Sequence, residues 1–167
     1  MKAVKGFLIV IFGLFIVVTL FSLIMPSSVS AVRNIGINAS RDSINVLLKD
    51  LSKYPDWYPG MRGNDPVVAP GQKSISWKAG EKTNILKMVS ADTNAVQLRL
   101  ESGSNEPVFS DIYTAMYENE PGVNVEWRVH SKVKWYPWER FGGIFFDQVS
   151  GPSMEAGLEN LKNILER

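Results

Sequence analysis

Apolar and polar positions divide the chain into three regimes. Lys2 and Lys5 precede an uncharged run from Gly6 to Met25, closed by Pro26-Ser27-Ser28. Residues 6–25, at about 1.5 Å each, span about 30 Å, the thickness of a bilayer core. The run is apolar on every face, which predicts a membrane-spanning helix rather than a helix buried in a soluble core. A cleaved signal peptide is the competing reading, since Val29-Ser30-Ala31 offers small residues at a suitable spacing. The run exceeds the ~7–15 apolar residues of such a signal, which favours an uncleaved anchor. Two lysines before the run and only Arg33 soon after it put the N-terminus in the cytoplasm and the rest outside. The expected organisation is a cytoplasmic N-terminus (1–5), a transmembrane anchor (6–25), a linker (26–28) and one domain (29–167).

The second regime opens with a strand over 29–37, in which Ala31, Arg33, Ile35 and Ile37 share a face. Ala39-Ser40 offers a helix N-cap with Asp42 in the first turn. Ile44, Leu47, Leu48 and Leu51 then form a helical stripe, expected to stop near Lys53 because Pro55 disfavours helical torsions at Tyr54. Tyr54 to Gly60 reads as a tight aromatic connection with room for one helical turn. From Pro66 the period is two. Strands are expected over 66–70, 73–78, 82–90, 95–101, 107–117 and 123–131, with turns at Ala91-Asp92-Thr93-Asn94 and Glu120-Pro121-Gly122. In the last strand Val123, Val125, Trp127 and Val129 face one way, and Asn124, Glu126, Arg128 and His130 the other. That alternation predicts an antiparallel sheet with one wet face.

The third regime is Trp138 to Arg167. Met154, Leu158, Leu161 and Leu165 recur at helical steps, with Gly157 on the stripe's edge, where a close approach is possible. Phe141, Ile144 and Phe145 make a second helical face, and Gly151-Pro152 predicts a kink or break between the two. Such a stripe needs an apolar partner, and the preceding strands supply it. The expected fold class is α+β: a curved seven-stranded antiparallel sheet whose concave face is covered by the C-terminal helix.

Composition narrows the function. The chain has no cysteine and one histidine, which excludes a disulfide framework or thiolate site and disfavours a multi-histidine metal site. Beyond residue 25 there are 16 basic and 17 acidic side chains, so nothing suggests nucleic acid. No phosphate loop, metal constellation or nucleophile triad is visible. No cofactor is expected, and nothing in the sequence marks an oligomeric state.

Several short motifs, in order, resemble the polyketide cyclase/dehydrase and lipid-transport family of the START-like (SRPBCC, helix-grip) superfamily. They are Asn38-Ala39-Ser40, Asp50-Leu51 with Tyr54-Pro55 and Trp57, Ser76-Trp77-Lys78, Val125-Glu126-Trp127, and Gly157-Leu158-Glu159-Asn160-Leu161-Lys162. The resemblance covers residues 29–167. Departures at Tyr54, Gly60, Lys82-Thr83-Asn84 and Ser102-Gly103-Ser104 bear on the rim of a cavity. The resemblance implies a sheet gripping the last helix, an apolar cavity between them, and a hydrophobic small molecule or lipid inside. It leaves two other readings: a cyclase or dehydratase enzyme, or an interaction module with a filled core.

The candidate cavity residues are Trp57, Trp77, Trp127, Phe141 and Phe145, placed on predicted inward faces or at the mouth. Phe109, Asp111 and Tyr113 join them if their strand face points inward, in which case Asp111 would be a buried acid or ligand anchor. The opposite face, with Val108, Ile112 and Met116, is the favoured inward one. His130 and Glu126 could do acid–base work only if their face were inward, and the alternation argues that it is wet. No catalytic residue is assigned. Arg33 either pairs with a surface acid, the favoured reading, or anchors an acidic headgroup. Trp135, Tyr136 and Trp138, between the last strand and helix, are candidate membrane contacts, because Trp and Tyr favour membrane interfaces.

Overall fold

The computed structural model describes residues 2–103, 105–116 and 122–167. Ser104, the strand end expected at Tyr117, and Glu120-Pro121 of the predicted turn lie outside them. The apolar run is helix α1 (Lys2–Ile24). Residues Val4–Ile24 are long and apolar enough to cross a membrane, which makes the helix a candidate span or signal sequence.

Strand β1 (Ser28–Ile37) leads to helix α2 (Arg41–Lys49), capped by Ser40, whose side chain accepts from the Ser43 N–H at 3.1 Å. Helix α2 stops at Lys49, earlier than expected. Asp50 is extended, and its carboxylate accepts from the Ser52 N–H, starting a 3₁₀ turn over Leu51–Lys53. Tyr54 is helical despite preceding Pro55. The proline sits in the first turn of the short helix α3 (Tyr54–Trp57), where its missing N–H costs nothing.

Strands β2 (Val67–Val68), β3 (Ser74–Ala79), β4 (Lys82–Ala91), β5 (Ala95–Ser102), β6 (Val108–Ala115) and β7 (Val123–Lys132) form a meander. With β1 they make one open, seven-stranded antiparallel sheet, ordered β1-β7-β6-β5-β4-β3-β2. The last strand therefore pairs with the first, Ser28 opposite Lys132 and Ile37 opposite Val123. The inner face carries Ala31, Ile75, Leu86, Leu98, Ile112, Val125 and Trp127, all buried. The α+β architecture expected from the period change is the one observed.

A short helix α4 (Pro137–Gly143) precedes α5 (Phe146–Leu165), which packs chiefly along β1 and against α3. Met154, Leu158 and Leu161 are buried, as their spacing predicts. Of the kink or break expected at Gly151-Pro152, the break is absent: α5 runs through Pro152. Arg33 on β1 supplies a cross-brace. Its Nε donates to Glu155 at 2.6 Å and its Nη1 to Asp147 at 2.8 Å. Asp147, Gly151 and Glu155 lie one helical turn apart on one face, and the guanidinium occupies the space that a Cβ on Gly151 would fill. The brace spans the turn that proline weakens. It settles the reading of Arg33 as a partner of surface acids.

Candidate functional site

The site is built on a mismatch of widths. A single helix covers the β1 side of the inner face, while the centre is covered by the chain around α3. There Tyr54, Trp57, Tyr58, Trp77 and Trp127 form one aromatic cluster. Trp57 meets Trp127 edge-on at 5.9 Å between ring centres, Tyr58 meets Trp127 at 5.4 Å, and Tyr58 meets Trp77 at 6.2 Å. Tyr54 is anchored by its hydroxyl, which donates to the Leu48 carbonyl at 2.6 Å. Helix α5 fits against this cluster only because residue 157 is glycine. A Cβ there would lie 2.8 Å from Trp127 Cζ3 and 3.0 Å from Pro59 Cδ.

Between the cluster, the sheet and the first half of α5 lies a cavity of about 360 Å³. Its sheet wall is Trp77, Leu100, Val108, Ser110, Trp127 and Val129, and its helix wall runs from Phe146 to Met154. Tyr58, Pro59 and Gly60 close a third side. This size and apolar lining suit a small-molecule site. Its polar side-chain groups are all neutral: the hydroxyls of Tyr58, Ser110, Ser150 and Ser153 and the indole N–H groups of Trp77 and Trp127, the latter buried without a hydrogen-bond partner. Burial pushes the Tyr58 hydroxyl up to about 12, an effect the nearby Ser110 side chain partly offsets, so it stays neutral. A larger hollow, about 530 Å³, lies at the β2–β3 edge. Its walls, Trp77 apart, are exposed or half-buried turn and strand residues such as Gly63, Asp65 and Lys78, and it lacks a built interior.

The sequence candidates divide. Trp77 and Trp127 line the cavity, and Trp57 lies behind them in the core. Phe141 and Phe145 are corrected: they are 40% and 55% exposed and are not among the residues that line the cavity. The chain turns between α4 and α5 there, so the expected single helical face does not exist, and Phe146 takes the inward place. Phe109, Asp111 and Tyr113 are also corrected. Ser110, Ile112 and Thr114 are the buried residues of β6, which puts the three candidates on the outer face. There Phe109 stacks on His130 at 5.4 Å, and His130 Nδ1 lies 3.5 Å from Asp111. Tyr113 lies under Arg128, which pairs with Glu126 at 2.7 Å. Met116, on the favoured inward face, is exposed beyond the strand's end. Trp135 and Trp138 are exposed, and Tyr136 stacks on Trp138 at 5.1 Å.

Residues missed by sequence reasoning include Tyr58, Val108, Ser110, Val129, Val149 and Ser153. Val108 and Val129 carried a readable signal, the alternation of their strands. Ser150 and Ser153 carried none. Among the described residues, no group of three or more His, Asp or Glu is placed to hold a metal.

No family model and no curated protein matches the sequence. Solved structures do match the fold. A START superfamily protein from Mycobacterium smegmatis superposes with a TM-score of 0.64 at 14% identity, over 83% of this chain and 97% of that one. The di-domain ARO/CYC StfQ from the steffimycin biosynthetic pathway gives 0.61 at 10% identity, over 83% of this chain and 51% of that one. A protein from Chromobacterium violaceum gives 0.63 at 8% identity, over 83% and 99% of the two chains. The fold is thus START-like, as the short motifs implied. This chain adds an apolar helix in front of it.

Proposed function

We propose that this chain is a START-like domain that binds a hydrophobic small molecule or lipid in the cavity between sheet and α5. In this reading α1 is an uncleaved single-span anchor, with the N-terminus cytoplasmic and the domain outside. The cavity lining carries the proposal: apolar walls with four hydroxyls and no ionised side chain. Such a surface rewards apolar contact and a few neutral hydrogen bonds. Burying about 300 Å² of apolar ligand surface contributes about 7 kcal/mol before the costs of binding. An anchored domain stays beside the membrane that dissolves such ligands.

The enzyme reading needs an acid or base within hydrogen-bond reach of the bound molecule. The His130–Asp111 pair lies across the sheet from the cavity. That placement favours binding over cyclisation or dehydration.

The test is native mass spectrometry of the full chain released from detergent, with organic extraction of whatever it carries. A reproducible apolar adduct is expected. It is expected to vanish in S150F/S153F, which puts two phenyl rings into the cavity from the helix wall. An adduct that survives both rings, or a clean mass after incubation with mixed lipids, refutes the proposal.

A further inference from the structure

The cavity lies at one end of the sheet, and the register identifies which end. Strand β1 leaves α1 at Ser28, opposite Lys132. Val129 pairs with Ala31 and Val108 with Ser131, so the cavity residues Val129, Val108 and Leu100 sit within a few residues of the point where α1 joins the sheet. The first half of α5, which walls the cavity, follows directly on α4. Helix α4 packs on α1. Ser22 is fully buried, and Val18 and Thr19 on the same side of α1, with Met25 just past its end, are half-buried. The Arg140 Nη1 donates to the Met25 carbonyl at 2.5 Å, and the Val133 N–H donates to Ser27 at 3.0 Å. Helix α4 therefore lies beside the last two turns of the apolar helix, about 11 Å of its length. Around this junction Trp135, Trp138, Phe141, Ile144, Phe145 and Val149 are all exposed, from 40% to 74%. A water-facing α4 would leave that collar without a partner, although soluble domains rarely expose such contiguous apolar surface.

We propose that the collar is sunk in the surface of the bilayer that α1 enters, so that the cavity mouth opens onto lipid. The inference rests on the anchor and ligand readings above and adds the route: the bound molecule comes from that leaflet, without crossing water. The partner is a lipid surface, because the collar is held level with the end of a helix that is itself apolar all round. Interfacial helices sit about 5–10 Å deep, and α4 flanks a comparable length of α1 at the end where it leaves the bilayer in this reading. Val149 belongs to both collar and cavity wall, so the two surfaces are continuous.

The chain's five tryptophans make the test direct. Trp57, Trp77 and Trp127 are buried, and Trp135 and Trp138 are the exposed pair. The full chain is reconstituted in phosphatidylcholine vesicles with brominated acyl chains, which quench indoles they touch. Quenching is expected in the wild type, with loss of most of it in W135F/W138F. No quenching, or undiminished quenching in the double variant, overturns the seating. A second arm follows uptake of a fluorescent fatty acid from vesicles and from a cyclodextrin complex. In W138S/F141S/I144S/F145S, uptake from vesicles is expected to slow at least about tenfold while uptake from cyclodextrin is unchanged. Equal rates from vesicles in the two proteins, or equal slowing from both sources, overturns the route. A wild type that takes up the probe from neither source refutes the ligand reading of the cavity, and the quenching arm still decides the seating.

Discussion

Gly157→Ala adds a single carbon where helix α5 crosses the aromatic cluster. The new Cβ would sit 2.8 Å from Trp127 Cζ3 and 3.0 and 3.1 Å from the Pro59 ring. Ordinary carbon contacts lie at about 3.5–4.0 Å, so the shortfall on the indole is about 0.7 Å or more. The indole cannot step aside cheaply, because Trp57 and Tyr58 hold it at 5.9 and 5.4 Å. Overpacking of this kind costs about 1–3 kcal/mol. Alanine's better helix propensity returns about 1 kcal/mol, so the net loss is up to about 2 kcal/mol. Gly142→Ala is the control: it lies in helix α4, and nothing lies within 4 Å of its added Cβ. Urea unfolding of the full chain in nanodiscs, followed by tryptophan fluorescence, measures both. Gly142→Ala is expected to be neutral or slightly stabilised, and Gly157→Ala clearly destabilised. Equal stability of the two variants would refute the claim that α5 depends on a bare backbone at 157.

Three further outcomes follow from the same contacts. Tyr54→Phe leaves the buried Leu48 carbonyl without the hydroxyl that bonds it at 2.6 Å, and is expected to cost about 1–3 kcal/mol in the same unfolding assay. The Tyr58 hydroxyl is pushed up to about 12 by burial, so its stabilising effect is full below the unfolded value near 10 and is lost as pH rises toward 12. Alkaline titration of stability should show a loss of about 2–3 kcal/mol from this group, absent in Tyr58→Phe. The Arg33 guanidinium holds the Asp147 carboxyl below its usual range, so Asp147 stabilises the fold at neutral pH and ceases to as pH falls below about 4. Asp147→Asn should lower the neutral-pH melting temperature and flatten the acid limb of the melting curve.

Period and punctuation in the sequence carried most of the fold. Val123 to Ser131 alternates so regularly that both its strand and its wet face were readable, and Met154-Leu158-Leu161 named the buried side of α5. Local rules failed where a distant residue decides. Proline at 152 predicts a kink or break, and only Arg33, 119 positions earlier, brings the brace that spans it. Phe141 and Phe145 look inward on a helical wheel, but the turn at Ile144–Phe145 rotates the wheel between them. The site was legible at Trp77 and Trp127, because strand alternation fixes an indole's side. Ser110, Ser150 and Ser153 were not, because a serine facing a cavity and a serine facing water obey the same local pattern.

The cross-brace between β1 and α5 also ties four positions into one heritable unit. A side chain at 151 must displace the Arg33 guanidinium, and with it the contacts to Asp147 and Glu155, two acids two turns apart on the same helix. A change at one position therefore weakens the reason to keep the others. Among homologues the arginine, the glycine and the two acids should appear and disappear together. A helix transplanted from this chain onto another START-like sheet should seat more firmly where the receiving first strand offers an arginine at the matching place.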